Sequence, residues 1–335
     1  MATRRSFLAA AAAAAAALPA PAVLAQAPQP LAFMTPFGFL PDFIEMMNMV
    51  SGGHLARHGF QPTLRAANGT AQALQQLAAG QVQFIRAASI DMIRAASAAN
   101  APFLAVATSH QGSTFHMISL RERPIERAED LRGRTVGLVS VGGTTDTFLD
   151  LILRRVNIPR SEVRTETTGN SPGALQFIRQ GRVDCFMASI IVPVVLRQQN
   201  EPIVAWSTDR YAPMPSQCYI TTREIAERQP ETVVRFLRAL RDSMNELLDR
   251  PNQPIFERAS RDFEIPGIRN MELTLAVTEA SKRELWLTRG RENLLRNLPD
   301  LWESGFAALR EAGLANPPDP SGLWTNRFIE EALRA

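Results

Sequence analysis

From Leu31 onward, short apolar runs alternate with stretches of helical spacing, and this alternation limits the fold more than any other feature. Leu31 to Met34 ends at Thr35-Pro36. Asp42 to His58 has helical spacing through Phe43, Met46, Met47, Val50 and Leu55, and Gly59 stops it. Pro62 to Ala66 reads as a strand, and Asn68-Gly69-Thr70 as the cap of a helix over 71–79. Val82 to Ile85, Ser89 to Ala98 and Phe103 to Ala107 continue as strand, helix and strand. A second series starts at the strand Phe115 to Leu120. It runs through Thr135–Val139, a helix opened by Gly142-Gly143-Thr144-Thr145, Val163–Thr167, a helix begun at Ser171-Pro172, Val183–Met187 and Ile203–Trp206. Gln217 to Thr221 returns as a strand. Helical patterns then dominate at Glu231–Leu248, Glu272–Trp286 and Leu301–Glu311.

The order predicts an α/β protein with mostly parallel sheets covered by helices. Two series predict two lobes, with chain crossings near Gly112–His116 and in the Pro-rich Tyr211–Pro215. Residues 26–114 and 216–335 then form a discontinuous first lobe, and 115–215 an inserted second lobe. Ligands in such sheets sit beyond the carboxyl ends of the strands, so two facing lobes make a cleft that closes by hinge motion.

Residues 1–25 read as an export signal of the twin-arginine type. Arg4-Arg5 precedes an Ala-rich apolar stretch from Leu8 to about Leu18, well short of the roughly 20 residues that span a bilayer. Val23 and Ala25 suit cleavage after Ala25, which leaves about 310 residues and favours two domains. The formal charge of +3 falls to +1 once Arg4 and Arg5 are lost, which gives no electrostatic footprint for nucleic acid. No later segment is long and apolar enough to cross a membrane, and the signal holds no Cys near its end for a lipid anchor. A soluble periplasmic monomer is expected. Cys185 and Cys218 are the two cysteines, and their spacing does not specify a bridge.

Three segments resemble one family. Asp130-Leu131-Arg132-Gly133-Arg134-Thr135-Val136-Gly137 resembles the "D-L-[KR]-G-[KR]-x-[VI]-[GA]" signature of periplasmic solute-binding proteins. Gly69-Thr70 through Leu77-Ala78-Ala79-Gly80-Gln81-Val82-Gln83-Phe84 resembles a second signature of that group, and Gly181-Arg182-Val183-Asp184-Cys185 a third. With Trp324-Thr325-Asn326-Arg327-Phe328 and the export signal, the likeness spans nearly the whole mature chain. It is to the nitrate/sulfonate/taurine and thiamine-pyrimidine-precursor binding (SsuA/THI5-like) family of ABC importers. The resemblance implies the type II periplasmic-binding-protein fold, a small-molecule solute, an ABC permease as partner and no cofactor. Each motif is also ordinary framework, since Gly80 and Gly181 are helix stops, so the motifs speak for fold more than for ligand.

Ligand contacts are expected on loops leaving strand ends. Phe37 and Gly38 follow the first strand, where an aromatic ring can stack on a planar solute or plug the next helix. Asn68, Gly69 and Thr70 offer backbone N–H groups at a helix start, and Ser89 and His110 stand at further strand ends. In the second lobe the Gly142-Gly143-Thr144-Thr145 turn is the sharpest signal: paired glycines permit close approach, and Gly143, Thr144 and Thr145 open a helix. No Lys follows, so it is not a Walker loop. Asn170, Ser189 and Trp206 complete the set. Apart from Arg86 near one strand end, these loops are poor in charge, which suits a neutral or weakly anionic organic solute, a sulfonate-like anion held by helix starts, or a heteroaromatic ring.

Enzymatic chemistry lacks a constellation. His54 and His58 are four apart on a helix but Leu55 stands where a metalloprotease has Glu, so a pair of polar residues at a helix end is the expected role. No G-x-S-x-G elbow and no Cys-His cluster occur. Fungal members of the resembled family that build the thiamine pyrimidine carry a C-C-C-F-C run, which this chain lacks. A ligand-sensing subunit for a membrane receptor is the alternative to a transport role, with a pyrimidine-forming enzyme behind it.

Overall fold

The computed structural model describes residues 27–99, 101–140 and 142–334. The export signal and its cleavage point lie outside them. Among the described residues ten strands form two five-stranded sheets. The first contains β1 (Gln29–Thr35), β2 (Phe60–Ala66), β3 (Phe84–Ala88), β4 (Phe103–Thr108) and β10 (Gln217–Thr222), in the order β2-β1-β3-β10-β4. The second contains β5 (Phe115–Leu120), β6 (Thr135–Leu138), β7 (Arg164–Thr167), β8 (Cys185–Ser189) and β9 (Ile203–Ser207), in the order β7-β6-β8-β5-β9. The protein is thus a two-lobed α/β structure.

The two sheets share one plan. In each, four strands run in one direction and the fourth strand in the spatial order runs antiparallel to them: β10 between β3 and β4, β5 between β8 and β9. The sheets are mostly parallel, as the alternation predicts, and the one antiparallel strand in each is the inserted one. Both follow a crossing between lobes. A chain that enters a lobe beside the carboxyl ends of its parallel strands has to run back along them.

Helix breaks also differ from the periodicity. The stretch from Asp42 to His58 is a short 3₁₀ turn (Pro41–Phe43), a helix (Ile44–Ser51) and a further turn of helix (His54–Arg57). Gly53 lies at φ +68, and a Cβ at Gly52 would meet Asn48 O and Oδ1 at 2.7 Å. That break lets His54 Nε2 reach Glu246 Oε2 at 2.7 Å and His58 Nε2 reach Asp242 Oδ2 at 2.8 Å on the long helix Pro230–Asp249. The two histidines therefore tie a helix pair together. The stretch Glu272–Trp286 is an α-helix (Met271–Ser281) that widens into a π turn (Lys282–Trp286). Hydrophobic spacing continues unbroken across such a widening, so it is invisible in the pattern. Cys185 and Cys218 are free, buried thiols in different sheets.

The helix Pro230–Asp249 buries one apolar face against the first sheet, with Val233, Phe236, Leu237, Leu240, Met244 and Leu247 all at most 1% exposed. Phe236 is stacked on Phe84 at 3.9 Å and meets Phe33 edge-on at 5.7 Å. Truncation there removes a ring that touches three strands' worth of core. Phe236→Ala is expected to lower stability by about 3–5 kcal/mol in urea unfolding, whereas Phe37→Ala, at an exposed position, is expected to change it little.

Candidate functional site

Two chain crossings join the lobes, and they are bonded side by side. Thr114 N donates to Ser216 Oγ at 3.3 Å, and the two hydroxyls are 3.2 Å apart. Ser216 N donates to His110 O, and Ser89 N to Ser216 O. On the first lobe the π turn grips the first crossing: Leu285 O accepts from both Gln111 N (2.7 Å) and Gly112 N (3.2 Å). Gly112 has to be glycine, because a Cβ there would meet Glu284 O at 2.4 Å. On the second lobe Asp209 Oδ2 accepts from Ser113 N, and Thr208 Oγ1 donates to Ser113 Oγ at 2.6 Å. His116 Nε2 of β5 faces Glu284 Oε2 of the π turn at 3.5 Å, a polar contact between lobes. The hydrogen bond to His116 holds the Glu284 carboxyl down at about 2.

Beside the crossings lies a cavity of about 140 Å³ with walls from both lobes. Pro36, Phe37, Leu40, Asp42 and Phe43 form one wall, Thr114, Phe115, Asn170, Ser189, Ile190 and Ile191 the other, with Gln217 at the return crossing. Phe37 is 51% exposed, the large apolar side chain that stands out from an otherwise covered surface among the described residues. Asn170 Oδ1 accepts from Ser189 N at 2.9 Å, which fixes both residues at the end of β8. Ser189 Oγ is buried without a hydrogen-bond partner.

Beneath Asp42 is a buried charge network. Arg86, wholly buried at the middle of β3, sends Nη2 to Asp42 Oδ2 (2.8 Å) and Nη1 to Glu45 Oε1 (2.7 Å) and to Asp42 O (2.6 Å). Tyr219 Oη donates to Glu45 Oε1 at 2.8 Å. His110 stands 3.1 Å from Arg86 Nη2 and receives Trp286 Nε1–H at 3.4 Å. Burial first, then the neighbouring guanidinium, pushes the His110 pKa well below the ordinary value, so the ring is neutral. Burial outweighs Arg86 at both carboxyls and raises Asp42 and Glu45 above their usual range.

Of the residues expected from sequence, Phe37, Asn170 and Ser189 line the cavity. Gly38, Asn68 and Gly69 buttress it from behind: Gly38 N donates to Ala67 O, Gly69 N to Pro36 O, and Phe37 bridges Asn68. Gly69, not Asn68, precedes the helix Thr70–Ala78, and no side chain caps it; Asn68 N donates to Gln72 Oε1. Thr70 turns to Asp91 and lines a different depression, between the helices Thr70–Ala78 and Ser89–Ala99. Ser89 is spent on the crossing, its hydroxyl donating to Pro215 O. His110 belongs to the charge network and not to the lining.

Gly143, Thr144 and Thr145 do not reach the cavity. Asp146 Oδ2 already accepts from Gly142 N at 2.7 Å, so the chain's own carboxylate occupies the position where an anion was expected. Thr145 is buried with its hydroxyl accepting from Val139 N. Trp206 is also absent from the lining: its indole donates to Ile125 O at 2.9 Å and packs edge-on against Tyr211 in the core. The lining also includes Leu40, Asp42, Phe43, Thr114, Phe115, Ile191 and Gln217, which the sequence reading did not single out. Only Asp42 carried a signal, as the acid that follows the first strand's loop, and it reads equally well as a helix-start residue.

Two lobes on this strand plan, joined by paired crossings over a shared cavity, define the periplasmic-binding-protein fold class. Solved structures with the same fold include the periplasmic aliphatic sulphonate binding protein SsuA from Escherichia coli. It has a TM-score of 0.69 and 14% identity, with 89% of this chain and 92% of that chain covered. The putative periplasmic sulfonate-binding protein SsuA from Methylobacillus flagellatus KT has a TM-score of 0.69 and 15% identity, covering 92% and 94%. The periplasmic nitrate-binding protein NrtA from Synechocystis PCC 6803 has 0.60 and 12%, covering 91% and 88%. At such identities the likeness is one of fold. No curated protein sequence matches the chain. The family model described as NMT1/THI5 like matches residues 41–254, and the chain belongs to that family.

Two outcomes test the electrostatics. Arg86→Met strands two buried carboxyls and is expected to lose about 3–5 kcal/mol at pH 7. Both carboxyls already titrate above their unfolded values, so the burden on the variant exists only where they are ionised. The gap to the parent therefore narrows as pH falls and the carboxyls take up protons, read as urea midpoints at each pH. Asp209, at the crossing, is pushed up to about 6 by burial, so it subtracts stability as pH rises from 3.8 through about 6. Asp209→Asn keeps an acceptor for Ser113 N and is expected to match the parent's Tm near pH 4 and exceed it above pH 7.

Proposed function

We propose that this protein is the periplasmic substrate-binding component of an ABC importer, which captures one small organic solute between its lobes and presents the closed form to a membrane permease. The observation that carries the reading is the cavity of about 140 Å³ whose walls come from both lobes and abut both crossings. A solute held there contacts both walls only when the lobes are together, so binding favours closure. Family membership supports the transport role, and the relatives' names, sulphonate-binding and nitrate-binding, give the range of solutes from which this chain's own departs or to which it conforms.

The lobe boundaries expected from sequence, 26–114 with 216–335 and 115–215, are proposed as the moving bodies, with Ser113–Thr114 and Pro215–Ser216 as hinge. Bonds from Ser113 to Asp209 and from Thr114 to Ser216 support that placement, since they tie the crossings to each other while the flanking strands belong to separate sheets. Export through a signal removed near Ala25, a monomeric state and the lack of a lipid anchor are part of the same proposal. Among the described residues no helix is long and apolar enough to cross a membrane. A binding role is favoured over catalysis by the state of the lining hydroxyl: Ser189 Oγ has no base within hydrogen-bond reach to activate it.

The test is a thermal-shift series with pyrimidines, aliphatic sulfonates, nitrate and aromatic acids on the parent and on Ile191→Trp, which fills the cavity from the second wall. A solute at a hundredfold over its Kd is expected to add about 2.7 kcal/mol to the parent and nothing to the variant. The radius of gyration in solution scattering is expected to fall on binding in the parent alone. Equal stabilisation of both proteins removes the cavity as the site.

A further inference from the structure

We propose that the seam where the first lobe's π turn meets β5 of the second lobe is a proton-operated latch, which holds the lobes together at mildly acid pH and releases them at mildly alkaline pH. The inference rests on the reading that the lobes move about Ser113–Thr114 and Pro215–Ser216, and it adds the control of that motion. In the structure the lobes are together: Ile190 and Val194 of the second lobe pack into the apolar cluster of the first. Two titratable side chains of the second lobe are enclosed at the seam. His116 is 5% exposed and directs Nε2 at Glu284 Oε2 of the π turn. Asp209 faces the chain that follows the π turn: a Cβ on Gly112 would meet Glu284 O, Asp209 Oδ2 and Thr288 Cγ2 all within 3.2 Å.

The surrounding charges come from the first lobe. Arg283 Nη2 holds the other Glu284 oxygen at 2.8 Å, and Arg289 acts on Asp209 together with His116. Within the sheet, β8 and β9 place the uncharged Ala188 and Ser207 opposite His116. Burial is the largest effect on Asp209 and pushes it up from 3.8 to about 6, against its bond from Ser113 N and its positive neighbours. Parting the lobes lifts residues 284–289 away from it and returns it towards 3.8. Between those values the closed form holds a proton that the open form has shed, so a rise in pH through about 6 works against closure. His116 acts with the same sign. Glu284 stays ionised, held at about 2, so its contact with His116 becomes an ion pair whenever the ring is protonated. Histidine is the side chain that ordinarily changes charge between about pH 5 and 8. Neither proton has to break a bond to enter. Asp209 Oδ1 and His116 Nδ1 are buried without partners, while Asp209 Oδ2 keeps Ser113 N and His116 Nε2 keeps Glu284 in either charge state. A solute that binds the closed form gains apparent affinity with the fraction already closed, so capture tightens on the acid side.

The experiment reads pulsed electron-spin distances between nitroxides on Gln61→Cys and Thr167→Cys. These are exposed sites on β2 and β7, the strands at the ends of the two sheets away from the crossings. Cys185 and Cys218 are buried and stay unlabelled. No solute is added, and pH runs from about 5 to about 8. In the parent the short-distance population is expected to gain on the long one as pH falls, by up to about tenfold per pH unit for each proton taken up. His116→Gln and Glu284→Gln are each expected to favour the long distance at the acid end and to flatten the response. Asp209→Asn is expected to favour the short distance at the alkaline end. The double variant of His116→Gln with Asp209→Asn is expected to show no pH dependence over this range, and circular dichroism checks each fold. A parent ratio that does not move with pH, or a double variant that keeps the parent's response, overturns the latch. Gly112→Ala separates that failure from failure of the hinge, because its Cβ would meet Glu284 O at 2.4 Å and drives the first crossing off the π turn. A longer distance in Gly112→Ala with a pH-independent parent overturns the latch alone. One unchanged distance in every protein overturns the lobe motion with it.

Discussion

The first lobe is organised around a guanidinium that water does not reach. Arg86 stands in the middle of β3 with its Nη atoms bonded to Asp42, Glu45 and His110, and through Glu45 to Tyr219 of β10. Those partners come from the loop after β1, the helix that follows it, the first crossing and the return strand. One buried cation thus sets the positions of four chain segments that are far apart in sequence. A buried ion pair is weak evidence for stability, because hydrophobic replacements of like volume are often as good. What it offers here is direction: the carboxyl of Asp42 is held at the cavity wall in one orientation. Glu45 Oε2 and Arg86 Nε remain without partners, so the network is not fully satisfied.

The repeated sheet plan explains why the cavity lies where it does. In each lobe the parallel strands end towards the crossings, and the loops leaving β1 and β7 and the last residue of β8 supply Phe37, Asn170 and Ser189. The antiparallel strands β5 and β10 carry the chain away from that same edge. The crossings are then obliged to run side by side, and the Thr114–Ser216 contact fastens them. The π turn at Lys282–Trp286 adds a grip from the first lobe by turning Leu285 O towards Gln111 and Gly112.

Much of the fold was legible in the residues and less of the site. Strand and helix spacing located all ten strands to within a few residues, because alternation and Gly stops report local backbone geometry directly. The helices Ile191–Gln198, Arg223–Arg228, Asn252–Ala259 and Arg327–Leu333 carry too few turns to stand out. Strand direction was not legible, since nothing in Gln217–Thr222 says which way it pairs. For the site, the rule that ligands gather at strand ends pointed to Phe37, Asn170 and Ser189, which line the cavity between the lobes. It also promoted Thr145 and Trp206, whose hydrogen bonds go to Val139 and Ile125. An N–H-rich turn looks the same in sequence whether an outside anion or Asp146 fills it, and an indole looks the same whether it faces a cleft or Ile125. Arg86 was read as a lone strand-end cation, for its partners lie 41 and 44 residues upstream and only the fold brings them together.

The placement of β10 orders the birth of the two lobes. It lies between β3 and β4, so the first sheet has a missing middle until the chain has been made through Thr222. The second sheet is whole once Ser207 emerges. During synthesis the inserted lobe can therefore complete its hydrogen bonding while the one begun earlier still waits with two open strand edges. The lobe whose sequence starts first is the lobe that finishes last.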